Sequence, residues 1–219
     1  MAEYHSAPPV DANTILEALA LAKSPCIYVD GFSPPELFDQ LISATGSVSA
    51  GSHYIKLSTG ATHSNYAVIK RKLKGAGNTA TWEKKRILSL GIYLSTDTGQ
   101  IIHLVTGVYS NKTSSNNSAR HVGFKIIGNT LYATVGNGYY EREAEIATLS
   151  TETYYHLLAI FYPGQKAEFY LDGELKATLT DRLPSGTEHA DWLFQGSIYT
   201  TEDADKVIYI TWLKVVQLE

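Results

Sequence analysis

The tract Lys166-Ala167-Glu168-Phe169-Tyr170-Leu171-Asp172-Gly173 constrains the fold more than any other stretch of the chain. Ala167, Phe169 and Leu171 alternate with Lys166, Glu168 and Tyr170, the period-two signature of a strand buried on one face. Asp172-Gly173 supplies the positive φ that a two-residue hairpin turn needs. Leu175, Ala177 and Leu179 are then expected to face inward on the returning strand. The same grammar recurs upstream. Phe124 to Ile127, Gly128-Asn129 and Leu131 to Val135 read as another hairpin. Gly136-Asn137-Gly138 turns the chain again, and Tyr140 to Ile146 and Tyr154 to Tyr162 follow. Tyr66 to Leu73, Trp82 to Leu94 and Ile101 to Val105 are strand-like runs, broken by Gly75-Ala76-Gly77-Asn78 and Thr96-Asp97-Thr98-Gly99. Thr106 to His121, which contains the polar run Ser110 to Ser118, is expected as an exposed loop. Val207 to Leu218 is apolar at nearly every position, and is expected to be central and covered on both faces. Strands and turns at these spacings predict an all-β protein built as a two-sheet antiparallel sandwich.

The first 45 residues differ in pattern. Good capping residues precede Ile15, Leu16, Leu19 and Ala22, a helical apolar stripe that Pro25 ends. A second helix is expected from Ser33, with Pro34 and Pro35 in its first turn and Leu37, Phe38, Leu41 and Ile42 as its buried face. Residues 1–45 thus read as an extension with one or two short helices, packed either in cis or on a neighbouring subunit, and residues 46–219 as the sandwich.

A chain of 219 residues accommodates one such domain and a sizeable core. Cys26, the sole cysteine, cannot form an internal disulfide and reads as a small buried hydrophobe. The net charge of -4 argues against nucleic acid as the main partner. The basic run Lys70-Arg71-Lys72-Leu73-Lys74 is either a solvated strand face or an anionic contact patch. MAEYHSAPPVDANT lacks the pattern of a signal peptide, so the chain is expected to be made in the cytoplasm. No apolar run reaches the ~18 residues of a membrane span.

Three stretches give the chain a likeness. They are Gly123 to Thr134, Tyr155 to Leu175 with its Phe169-Tyr170-Leu171-Asp172-Gly173 hairpin, and the closing Trp212 to Gln217. Here residues 45 to 219 resemble the concanavalin A-like lectin/glucanase jelly roll, in its laminin-G-like branch. The resemblance implies a jelly-roll topology, and it leaves function open because lectins, glycanases, lyases, adhesion modules and virion parts share the fold.

Glu141-Arg142-Glu143-Ala144-Glu145 puts three glutamates on one sheet face. The glucanases of this fold carry their carboxylates on one strand, as Glu-x-Asp-x-x-Glu or similar; here the middle Asp is missing and the spacing differs. With Ala144 and Ile146 on the opposite face, the run reads first as a solvated strand face, with Glu141, Glu143 and Glu145 as weaker catalytic candidates. Calcium takes clustered oxygen ligands, and Asp203 and Asp205, or the loop from Asn111 to Asn117, are candidates for it; an acidic turn is the plainer reading. The seven histidines are scattered, without zinc spacing. Fifteen tyrosines are many for one sandwich. Tyr139, Tyr140, Tyr154, Tyr155, Trp192 and Tyr199, near predicted turns and strand ends, are the candidate ligand-binding aromatics.

The resulting expectation is a non-catalytic binding or structural sandwich: a virion protein (capsid decoration, tail or fibre) or similar assembly protein that contacts surface glycans. Its partners are further copies of itself, other assembly subunits and polysaccharide. A carbohydrate-binding module or lectin is the alternative, and a glycan hydrolase or lyase a third reading.

Overall fold

The computed structural model describes residues 38–51, 54–72, 80–96, 98–109 and 119–218, together with the backbone of Cys26–Asp30. The strands are β1 (Cys26–Asp30), β2 (Asp39–Ile42), β3 (Ser47–Ala50), β4 (Ile55–Ser58), β5 (Tyr66–Lys72), β6 (Arg86–Leu94), β7 (Gln100–Gly107), β8 (Arg120–Ile127), β9 (Thr130–Asn137), β10 (Glu141–Thr148), β11 (Thr153–Tyr162), β12 (Lys166–Leu171), β13 (Glu174–Leu179), β14 (Trp192–Thr200) and β15 (Val207–Gln217). They make two antiparallel sheets. The eight-stranded sheet runs β13-β12-β11-β6-β15-β4-β3, with β1 also paired to β15; the seven-stranded sheet runs β10-β9-β8-β7-β14-β5-β2. Among the described residues there is no helix, and none long and apolar enough to cross a membrane. This is the all-β, two-sheet antiparallel sandwich that the alternation predicts, with the jelly-roll form that the resemblance implies.

The core fills the space between the sheets. Leu88, Leu90 and Ile92 of β6 face Leu104 of β7 and Phe124 of β8, all essentially fully buried. Phe124 meets Phe169 edge-on at 5.6 Å across the sandwich, and Trp82 meets Phe161 at 5.6 Å. Burying each such side chain contributes roughly 1.5–3 kcal/mol. Arg86 is buried among them, under the Trp82 ring at 4.2 Å, and donates to Gln217 Oε1 at 2.9 Å and to Thr106 Oγ1 at 3.2 Å. Burial lowers its pKa to about 10 while Asp191 opposes the shift.

Several sequence expectations change here. The apolar stripe at residues 11–22 lies outside the described residues, as does the side chain of Cys26. The second helix does not extend through its expected face: Asp39–Ile42 is an edge strand paired with β5, and Leu41 and Ile42 are 44% and 42% exposed. Sheet pairing has overridden a helix-like spacing. Leu175 points outward, 49% exposed. A bulge between Phe169 and Tyr170 reverses the parity of β13, so that Ala177 opposes Phe169 but Leu175 opposes Tyr170. β15 is interior to its sheet, yet only one face joins the core; Tyr209, Trp212 and Lys214 are half-buried on the other. The expected loop from Thr106 to His121 is shorter, since β8 begins at Arg120.

Candidate functional site

Strand alternation sorts the seven-stranded sheet into two chemistries. On β8, Val122, Phe124 and Ile126 enter the core, which sends His121 and Lys125 to the outer face. β7 likewise sends His103 outward, β9 Thr134, and β14 Gln195 and Ser197. Register then assembles residues far apart in sequence: His103 opposes Lys125 across β7–β8, and His103 opposes Ser197 across β7–β14. Although they lie on an outer face, His103, His121, Lys125, Thr134, Gln195 and Ser197 are all at most 2% exposed.

Tyr109, just past β7, seals this layer. Its ring stacks on His103 at 3.7 Å and 16°, and its hydroxyl donates to both carboxylate oxygens of Glu141, at 3.0 and 3.1 Å. Gln195 grips its backbone, donating to the carbonyl at 3.1 Å and accepting from the amide at 3.3 Å. Thr134 Oγ1 lies 2.7 Å from Glu141 Oε1, and His121 Nε2 lies 2.9 Å from Thr134 Oγ1. Lys125 pairs with Glu143.

Burial governs the electrostatics of this cluster. It pushes the Glu141 carboxyl up to about 7; the charge of neighbouring Glu143 adds to the rise, while Thr134 and Lys125 oppose it. The same burial lowers His121 to about 3, with Lys125 lowering it further and the Ala119 carbonyl opposing, and holds His103 well below the usual imidazole range. It also raises the Tyr109 phenol, as do Glu141 and Glu143. At neutral pH the layer therefore holds neutral imidazoles, a Lys125–Glu143 pair and a carboxyl poised between its two states.

The sequence candidates are distributed as follows. Glu141, Glu143 and Glu145 share one face, but they do not form the solvated run expected. The Glu141 side chain is 3% exposed, that of Glu143 is 25% exposed, and Glu145 alone is open to solvent. Tyr139 and Tyr140 occupy the β9–β10 turn, 78% and 64% exposed, with the Arg182 guanidinium 4.6 Å over the Tyr140 ring. Tyr154 lies on the outer face of the eight-stranded sheet, while Tyr155 packs toward the core and accepts a hydrogen bond from the Ser150 amide at 2.7 Å. Trp192 sits under Lys70 at 5.7 Å and Lys72 at 5.3 Å, and Lys72 pairs with Asp191 at 2.8 Å. Tyr199 is buried beside His103 at 6.0 Å. Asp205 accepts from the Gly60 amide at 2.8 Å and the Ser58 hydroxyl at 2.7 Å, and Asp203 from the His63 amide at 2.8 Å. Both brace the turn after β4. Among the described residues no group of three or more His, Cys, Asp or Glu is arranged to hold a metal ion; Asn111 to Asn117 lie outside them.

Sequence reasoning assigns no site role to His103, Tyr109, His121, Lys125 or Gln195. A signal was present at His121-Val122-Gly123-Phe124-Lys125: polar residues at alternate positions of a strand whose other positions are apolar.

No protein-family model matches the chain, and no curated protein matches it by sequence. Among solved structures it is similar to a protein of unknown function from Shewanella oneidensis, at 13% identity and a TM-score of 0.62 over 99% of this chain and 97% of that one. It is similar to a Bacillus licheniformis β-glucanase, at 14% identity and a TM-score of 0.56, covering 89% of this chain and 92% of that one. The binding domain of botulinum neurotoxin serotype G aligns at 8% identity and a TM-score of 0.54, over 83% of this chain but only 44% of that one. Likeness at these identities is one of fold, and fold alone does not carry function. The chain is a jelly-roll β-sandwich of the architecture found in that β-glucanase and that toxin binding domain.

Proposed function

We propose that this protein is a non-catalytic binding sandwich that contacts glycans through exposed aromatic side chains, chiefly Tyr139 and Tyr140. The observation that carries this reading is the condition of the carboxyls. Glycoside hydrolysis uses two carboxyls about 5 Å or more apart with a sugar between them. Here the Glu141 side chain is instead 3% exposed and held by Tyr109 and Thr134, and Glu143 is paired with Lys125. Tyr139 and Tyr140 offer what a sugar needs: open rings, phenol tips and the nearby Arg182. Fold neighbours support the class of ligand. One is a botulinum neurotoxin binding domain in complex with SialylT, and another is from botulinum neurotoxin type C, whose cell entry depends on interaction with two ganglioside molecules. The laminin-G-like variant of the fold belongs to this proposal, resting on the β8–β9 and β12–β13 hairpins.

A glycan array run with and without calcium tests the reading. Binding to at least one glycan class is expected, with loss in Tyr139→Ala/Tyr140→Ala. An array without hits, or a double variant that loses none of the hits, would remove it. A role as a subunit of an assembly such as a virion is the second reading, favoured by Leu41 and Ile42 exposed on edge strand β2. Light scattering should then give an oligomer that Leu41→Lys/Ile42→Lys dissociates; a wild-type monomer at high concentration would end it.

A further inference from the structure

The outer face of the eight-stranded sheet carries a second aromatic surface. Four tyrosines stand side by side across it: Tyr54 before β4, Tyr209 on β15, Tyr93 on β6 and Tyr154 on β11. Their successive ring centroids are 5.0, 5.6 and 4.9 Å apart. Register puts them in line, with Tyr209 opposite Tyr93 and Tyr93 opposite Tyr154. The adjoining row is built around a missing side chain. A register shift between Ile210 and Trp212 turns the indole outward. The indole lies against Gly91 of β6, where a Cβ would come within 2.4 Å of Trp212 Nε1. His156, whose Nε2 is 3.0 Å from Ser89 Oγ, backs the indole at 5.0 Å. Glycine inside a strand commonly marks a close approach over it. Here it seats a half-exposed indole on the sheet surface.

Charge selects the occupant. Lys56 opposes Tyr209 across β4–β15, and Lys214 opposes Ser89 beside Trp212. Neither lysine forms an ion pair among the described residues. β4, β6, β11 and β15 contain no Asp or Glu at any position; of the carboxylates beside these strands, Asp205 accepts from Ser58 and Gly60 and Asp172 from the His156 amide, while Asp30 of β1 opposes Trp212 by register. A second copy docked face to face would set lysines against lysines across these strands. A glycan with carboxylates on its sugars satisfies both features. The C–H faces of its rings stack on indole and phenol, and its carboxylates meet the ammonium groups.

We infer that this face binds an extended acidic polysaccharide, with Trp212 as the stacking platform and Lys56 and Lys214 as carboxylate contacts. The inference rests on the reading that the chain binds glycans, but at a surface separate from Tyr139 and Tyr140.

The test titrates the full chain with alginate oligosaccharides, with neutral cello-oligosaccharides as control, by calorimetry and tryptophan fluorescence. Saturable alginate binding is expected, weaker as salt rises, and exceeding any binding of the neutral chain. Lys56→Gln/Lys214→Gln, two surface changes that spare the core, should weaken it by on the order of tenfold. Trp212→Phe should weaken it as well, while Tyr139→Ala/Tyr140→Ala leaves it intact. That last variant separates the two readings: loss there with the lysine variant unaffected places binding at the turn and overturns this inference alone. No alginate binding, salt-independent binding or tighter binding of oligo(dT) would also overturn it.

Discussion

Replacing Glu141 by Gln removes a carboxyl that the fold carries inside, and the consequence is a change in pH dependence. In the folded protein burial lifts this group from 4.5 to about 7. Between those values the folded state keeps a proton that the unfolded chain has released, so stability falls as pH rises. At about 1.36 kcal/mol per unit the loss amounts to on the order of 3 kcal/mol. The stabilisation is fully present below the unfolded value and gone above the folded one. His121 and His103 act in the opposite sense, but they are common to both proteins and cancel when variant and wild type are compared at each pH. For a chain of this size each kcal/mol moves Tm by about 2–4 °C. The Tm of Glu141→Gln relative to wild type should therefore climb by on the order of 6–12 °C between pH 4.5 and 8. Scanning calorimetry across a buffer series reads this directly. A Tm difference that stays flat over the range would refute the burial of Glu141 beneath Tyr109.

The same layer makes further predictions. His121 is held neutral down to about 3, so the stability it contributes is present above pH 6.5 and is lost as pH falls toward 3. His121→Gln should flatten the acid limb of the Tm profile. Tyr109→Phe deletes the hydroxyl that donates to both oxygens of Glu141 and should cost about 1–3 kcal/mol in urea denaturation. On the other sheet, Gly91→Ala drives a methyl against Trp212 Nε1 and Thr211 Oγ1, each 2.4 Å from the added Cβ. It should destabilise the sheet by about 1–3 kcal/mol and shift tryptophan emission.

Period-two alternation is a local signal, and the elements it governs were legible. The β12–β13 hairpin is one: Asp172 and Gly173 both take positive φ, 51° and 84°, as the Asp-Gly pair predicts. Bulges were not legible, since nothing in the residue types announces one. The slip at Phe169/Tyr170 turned Leu175 outward, and the slip at Ile210/Trp212 placed the indole on the surface. At the candidate site, alternation put Glu141, Glu143 and Glu145 on one face but was silent about what folds over that face. Tyr109, 32 residues from Glu141, converts an apparently solvated strand into a buried polar layer. His103, His121 and Lys125 looked scattered because only sheet register brings them together. Leu41 and Ile42 misled for a related reason: four residues cannot distinguish one turn of helix from a short edge strand.

The most direct trial uses one neutral glycan that the protein binds and sets Tyr139→Ala/Tyr140→Ala beside Glu141→Gln/Glu143→Gln in parallel affinity and product assays. The proposed binding role predicts lost affinity in the tyrosine variant, retained affinity in the glutamine variant, and no shortened sugar in any sample. Released oligosaccharide that vanishes when the two carboxyls are neutralised would contradict it.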